Sequence, residues 1–148
     1  MGTRSNTLVM EDDKVLVNIY RQFDGYPEGH GVELAKLCDV KIVNGISGDR
    51  KEKQANGMGC LAAQIIAGLK DGVGGVYIEY PNDGPNDWAE YVYVVRGTVG
   101  SPPTIECSTH TSKEEGGAWP FNLQTSEHRV FSGTHKQWKN KYRKKVAA

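Results

Sequence analysis

No run of apolar residues in this chain of 148 approaches the ~20 that a membrane-spanning helix needs, so no membrane partner is expected. The opening residues, Met1-Gly2-Thr3-Arg4-Ser5-Asn6, have no apolar signal-peptide core behind them. Asn6 stands where a myristoylation signal needs Ser or Thr. A cytoplasmic protein is the expectation. Cysteine is scarce: Cys38, Cys60 and Cys107 are widely spaced and form no CxxC pair. That excludes a disulfide framework and reads as reduced thiols, small buried hydrophobes in all three cases. The P-loop pattern GxxxxGK[ST], the GxSxG elbow and the HExxH zinc motif are missing too. Neither an internal repeat nor a low-complexity run appears. Acidic residues end at Glu127, and seven basic residues follow (Arg129, Lys136, Lys139, Lys141, Arg143, Lys144 and Lys145). Residues 1–127 therefore carry eleven basic against eighteen acidic residues, and body and tail have opposite charge within a chain of zero net charge.

What is present fits one ordinary domain. A chain of this length buries about 68–70% of its unfolded surface and needs no metal or disulfide staple. Thr7–Met10 and Lys14–Phe23 read as two strands around the turn Glu11-Asp12-Asp13. Val15, Val17, Ile19, Arg21 and Phe23 alternate onto one face, with Leu16, Asn18 and Tyr20 on the other. Asp24-Gly25-Tyr26-Pro27 is a turn, His30–Cys38 a short helix and Lys41–Ile46 a short strand before a charged loop over Ser47–Gln54. The spacing of Leu61, Ala62, Ile65, Ile66 and Leu69 gives the clearest helix, with one apolar stripe. Val76–Tyr80, Tyr91–Thr98 and Thr104–Thr109 read as an antiparallel set of strands rich in β-branched and aromatic residues. Thr111–Asn122, with Trp119-Pro120-Phe121 inside it, reads as an irregular excursion. Val130–Tyr142 reads as weakly ordered and ending in a basic helix, with residues from about 136 to 148 as a flexible basic tail. The expected class is α+β: a mostly antiparallel sheet of about five strands, with two helices on one face.

The densest polar chemistry lies between Arg21 and His30. Asp24 and His30 could act as an acid/base pair, with Arg21 pairing an anion and Tyr26 stacking on a ring. The structural alternative is that Asp24 caps a turn and His30 starts a helix. Asn56-Gly57-Met58-Gly59 opens the clear helix, where free N–H groups attract phosphate. The dinucleotide pattern fails there, because Gly57-x-Gly59 is followed by Ala62. Cys107-x-x-His110 invites a metal reading, but neither His128 nor His135 completes a second pair, so no metal is assigned. No cofactor is implied. The tail Lys136-Gln137-Trp138-Lys139-Asn140-Lys141-Tyr142-Arg143 interleaves aromatics with bases, as single-strand binders do; docking or solubility is the plainer reading. Together these predict a non-catalytic protein binding a small anionic or nucleotide-like ligand. Its site would comprise Arg21, Asp24, Tyr26, His30, Asn56, Gly57 and Gly59. The alternatives are a small hydrolase using Asp24 and His30, and a structural or inhibitory interaction module. The module would use the Tyr77, Tyr80, Tyr91 and Tyr93 region or the basic tail, and would work as a homo-oligomer.

Met1-Gly2-Thr3-Arg4-Ser5, followed by Tyr20-Arg21-Gln22-Phe23-Asp24-Gly25-Tyr26-Pro27-Glu28-Gly29-His30-Gly31, resembles a group of small phage and environmental proteins. These share that opening and a Trp/Phe-Asp-Gly-Tyr-Pro turn. The resemblance covers about the first 40 residues, and less closely Asn56-Gly57-Met58-Gly59-Cys60. It implies a phage or bacterial source, hence a bacterial cytoplasm, and carries no activity.

Overall fold

The computed structural model describes residues 2–45, 53–109 and 129–147, with side chains to residue 142. Among these residues the chain runs β1 (Ser5–Glu11), β2 (Lys14–Arg21), a single π-helical turn (Pro27–Gly31) and α1 (Val32–Leu37). It continues through β3 (Lys41–Val43), β4 (Gln54–Asn56), α2 (Gly57–Leu69) and β5 (Val76–Glu79). β6 (Tyr91–Arg96), β7 (Thr104–Thr109), β8 (Arg129–Thr134) and α3 (His135–Ala147) complete it. The fold is mixed helix and sheet. A six-stranded sheet has the order β5-β2-β1-β6-β7-β8, and β3 pairs in parallel with β4 in a separate ribbon.

The alternation of the strands divides the side chains between two faces. Val9, Ile19, Tyr93, Val95, Ile105 and Cys107 point to one face, where they meet Leu34 and Ala35 of α1, Met58, Leu61 and Ile65 of α2, and Trp138 of α3. Leu8, Met10, Val92 and Val94 point to the other face and form a second buried cluster. All three helices thus lie on one side of the sheet. The α2 stripe behaves as its periodicity predicts, with Leu61, Ala62, Ile65 and Leu69 buried.

Several expectations need correction. The main sheet has six strands, and the described residues hold three helices. It is also mixed, because β1 runs parallel to β6 with Ser5 opposite Tyr91. β5 and β6 are not neighbours: β5 is an edge strand on β2, and residues 80–90 carry the chain back across the sheet to β6. Consecutive strands in sequence suggest a meander, but parallel strands need such a crossover, which leaves no pattern of its own. In β2 the predicted alternation breaks at a bulge, where Val17 faces Val9 but Val15 faces Met10. The extra residue turns Val15 onto the second cluster, while Leu16 and Val17 pack with the first. The basic tail is not a loose extension at its start. Residues from His135 are helical, Trp138 is fully buried, and Thr134 N–H donates to Gln137 Oε1 at 2.8 Å to cap the first turn. Residues 46–52 and 110–128, including the predicted excursion, His110 and His128, lie outside the described residues.

Candidate functional site: an aromatic groove on the helix-free face

Arg21 and His30 are brought together, but face inward. Asp24 takes a left-handed φ of 60° and Gly25 N–H donates to Thr3 O at 2.9 Å, which turns the chain sharply after β2. His30 N–H donates to Asp24 O at 2.8 Å, and the π-turn sinks the imidazole into the core. There Arg21 Nη1 lies 3.1 Å from Nδ1 and Thr7 Oγ1 lies 2.6 Å from Nε2. A guanidinium only donates, so Nδ1 accepts and Nε2–H donates to Thr7. Arg21 also grips Glu33 with two bonds, of 2.7 and 3.2 Å. Tyr93 meets the imidazole edge-on at 4.8 Å between centroids, and its hydroxyl donates to Gly25 O at 2.6 Å. Burial, and then the Arg21 charge, push the His30 pKa down to about 3. The ring is neutral, fully enclosed and engaged at both nitrogens. That arrangement locks a corner; it does not offer a base to a substrate.

The other predicted members are placed elsewhere. The Asp24 and Tyr26 side chains are exposed and touch each other, with Tyr26 Oη donating to Asp24 Oδ1 at 3.4 Å. Asp24 meets His30 through its backbone alone. Asn56 Oδ1 accepts from Gly45 N–H at 2.8 Å. Gly57, at φ 81°, and Gly59 open α2 at the far end of the sheet, where Met58 packs beside Gly97 just after β6. Arg21 pairs with Ser5, and Ser5 with Tyr91, at the starts of β1 and β6. The 13-residue α2 spans about 18 Å between these ends. Arg21/His30 and Asn56/Gly57/Gly59 therefore line no common pocket.

On the face opposite the helices lies a groove of which sequence reasoning named Tyr77 alone, within an alternative reading. Tyr20 of β2 and Tyr77 of β5 sit opposite one another, their rings 6.0 Å apart and tilted by 36°. They form the floor of an open concavity of about 710 Å³, lined also by Arg4, Gln22, Glu79, Asn86, Asp87 and Trp88. Trp88 is 68% exposed and Tyr77 47% exposed. The Arg4 guanidinium lies 5.1 Å from the Trp88 ring and covers one indole face. Tyr80, 77% exposed, follows β5. Of the four tyrosines in the predicted aromatic region, Tyr93 is buried and Tyr91 half-buried, so only Tyr77 and Tyr80 reach the surface.

A buried amide network builds the wall. Asn6 Nδ2 donates to Asn18 Oδ1 at 2.8 Å and to Glu79 Oε1 at 2.9 Å. Asn18 Nδ2 donates to Tyr80 O and Gly84 O. Asn86 N–H donates to Asn6 Oδ1, Asn86 Nδ2 to Glu79 Oε2, and Trp88 N–H to Asn86 Oδ1. Asn6 and Asn18 are fully buried, so their amides need these partners, and the connection from β5 to β6 supplies them. Trp88 is thus held in place by residues far away in sequence. Alternation places Asn6, Asn18 and Tyr20 on one face, but nothing in the turn-forming run 81–88 signals this pairing. Asn6→Ala should cost about 2–3 kcal/mol by stranding the Glu79 and Asn18 groups. It should also release the amides of residues 83–89 to fast hydrogen exchange, and unchanged protection at Asn86 would contradict the anchoring role.

A second concavity, of about 320 Å³, lies at the start of α3 among Asp39, Lys41, Lys53, Pro102, Thr134 and His135. It is basic, but two of its basic side chains, Lys53 and His135, already face a carboxylate. The Asp39 carboxylate lies 3.4 Å from Lys53, Lys139 and His135 Nε2. Burial alone would raise its pKa, but His135, Lys139 and Lys53 together hold it below the usual range. Cys38 and Cys107 are buried, and burial pushes both thiols up to about 12, so both are protonated at neutral pH. Among the described residues no helix is long and apolar enough to cross a membrane. Neither a family description, nor a curated protein, nor a solved structure matches this chain.

Proposed function

We propose that this chain is a non-catalytic binding protein whose contact surface is the aromatic groove of Tyr20, Tyr77 and Trp88. The carrying observation is that Tyr77 on the strand floor and Trp88 beside it stand exposed while a hydrogen-bonded buried network holds the wall. Trp, Tyr and Arg are the residue types that supply most binding free energy at interfaces, because they offer large area at low entropic cost. The concavity falls in the size range of binding sites. This reading moves the site from Arg21/His30 to the opposite face of the same strand. The N-terminal resemblance adds a phage or bacterial source to the proposal, with partners in a bacterial cytoplasm.

The test is Trp88→Ala. Its exposure makes a stability change under about 1 kcal/mol the expectation. Ligands found by amide chemical-shift mapping of the labelled protein should move the Trp88 indole and the Tyr20 and Tyr77 amides, and bind the variant at least tenfold more weakly. Hits that move Arg21 and His30 instead, or survive the substitution, would sink the proposal.

A further inference from the structure

The geometry points to an extended, proline-rich peptide segment carrying a basic residue as the occupant of this groove, an inference that rests on the groove reading above. The first argument is a count of hydrogen-bonding groups. The Tyr20 and Tyr77 hydroxyls and Trp88 Nε1–H have no hydrogen-bond partner among the described residues, and all three line the groove. Some acceptors are already engaged: both Glu79 oxygens take amide donors, and Asn86 Oδ1 takes Trp88 N–H. A ligand rich in carbonyl acceptors would meet these three donors. Proline-rich chain is such a ligand, since each proline keeps its carbonyl and has no N–H. A phosphate would meet Asp87 and Glu79.

The second argument concerns the sheet edge. Adding a strand to β5 requires outward backbone groups. The bond from Gln22 N–H to Gly75 O makes 22/75, 20/77 and 18/79 the hydrogen-bonded pairs, so Val76 and Ile78 point outward. Val76 is already closed, because its N–H donates to Gly74 O and its carbonyl accepts Lys70 Nζ at 2.9 Å. One outward residue, Ile78, is too little for strand addition. A polyproline II segment needs no ladder and docks on aromatic ridges. The third argument is charge. Asp87 carries a carboxylate with no ion pair among the described residues, at the rim beside Trp88, and fits an arginine or lysine on the segment.

The experiment titrates the labelled full chain with three probes: a ten-residue polyproline peptide with one arginine, an alanine-rich peptide of equal charge, and a neutral oligosaccharide. Saturable shifts at Trp88, Tyr77 and Tyr20 are expected with the first alone. Affinity should fall at least tenfold in Trp88→Ala and less in Trp88→Phe, which keeps a ring but loses the indole N–H. Asp87→Asn should weaken the arginine-bearing peptide severalfold and leave an arginine-free polyproline unaffected. Shifts with the oligosaccharide but not the proline peptide would overturn the inference and keep the groove. A proline peptide that binds away from the groove would overturn both. No response to the proline peptide overturns the inference outright.

Discussion

Replacing Trp138 with alanine is expected to lower stability by about 3–5 kcal/mol, the range for a buried tryptophan reduced to a methyl. For a domain of this size that is roughly 10–15 °C in Tm, and a large share of a total stability of 5–15 kcal/mol. The side chain is fully buried, and Nε1–H donates to Ile105 O at 3.0 Å. Its ring stacks on Tyr142 at 5.3 Å and meets Phe131 edge-on at 5.1 Å, with Tyr93 at 6.3 Å. The variant loses this contact area and also the indole bond to the Ile105 carbonyl of β7. Gly31 belongs to the same joint. A Cβ built there would lie 2.5 Å from the Trp138 ring, so Gly31→Ala should destabilise by a smaller amount through backbone displacement. Thermal unfolding of both variants decides the matter. A Tm within 2 °C of the parent for Trp138→Ala would mean that α3 is peripheral after all.

That expectation reverses the reading of the C-terminal stretch as a charged appendage, and the reversal shows what a linear sequence hides. Lys136, Lys139 and Lys141 dominate the composition, but Trp138 and Tyr142 are four residues apart and share one helix face. Two aromatics at that spacing were legible as an apolar stripe; seven basic residues masked it. Where the local pattern was strong it succeeded: β7 and the α2 stripe match their predicted places because each depends on near neighbours. Order gave the neighbours β1–β2 and β6–β7 but not β1–β6, whose pairing joins residues about 86 apart. The Arg21–His30 stretch was correctly seen as polar and crowded. Whether a polar cluster faces solvent or core depends on what α3 and β6 place around it, and the stretch itself holds no sign of that. The groove was hidden for the same reason. Tyr20, Tyr77 and Trp88 lie on three separate segments, and their wall depends on Asn6 and Asn18, which look like ordinary surface amides.

The buried imidazole gives the second large effect, this time against pH. His30 has a folded-state pKa near 3 against 6.5 in the unfolded chain, so below pH 6.5 the unfolded state binds a proton that the folded state refuses. The stabilisation from the neutral ring is therefore complete above about pH 6.5 and is lost as pH falls toward 3. The slope is about 1.4 kcal/mol per pH unit, or about 2 kcal/mol between pH 7 and pH 5. Burial lowers the His135 pKa as well, in the same direction, whereas the depressed Asp39 carboxyl adds its loss only below the ordinary carboxylate range. Two variants separate these contributions. His135→Asn should leave most of the slope between pH 6.5 and 4.5 in place. His30→Gln should flatten it, because glutamine can donate to Thr7 and accept from Arg21 with no titrating group. At pH 7 that variant should be less stable by about 1–3 kcal/mol, through lost packing against Tyr93. The two curves should converge as pH falls, because the parent loses at low pH what the variant never had. Denaturant unfolding at half-unit pH intervals measures this directly. Parallel curves for the parent and His30→Gln would show that the Arg21–His30–Thr7 corner is open to protons and solvent, and would return it to consideration as a site.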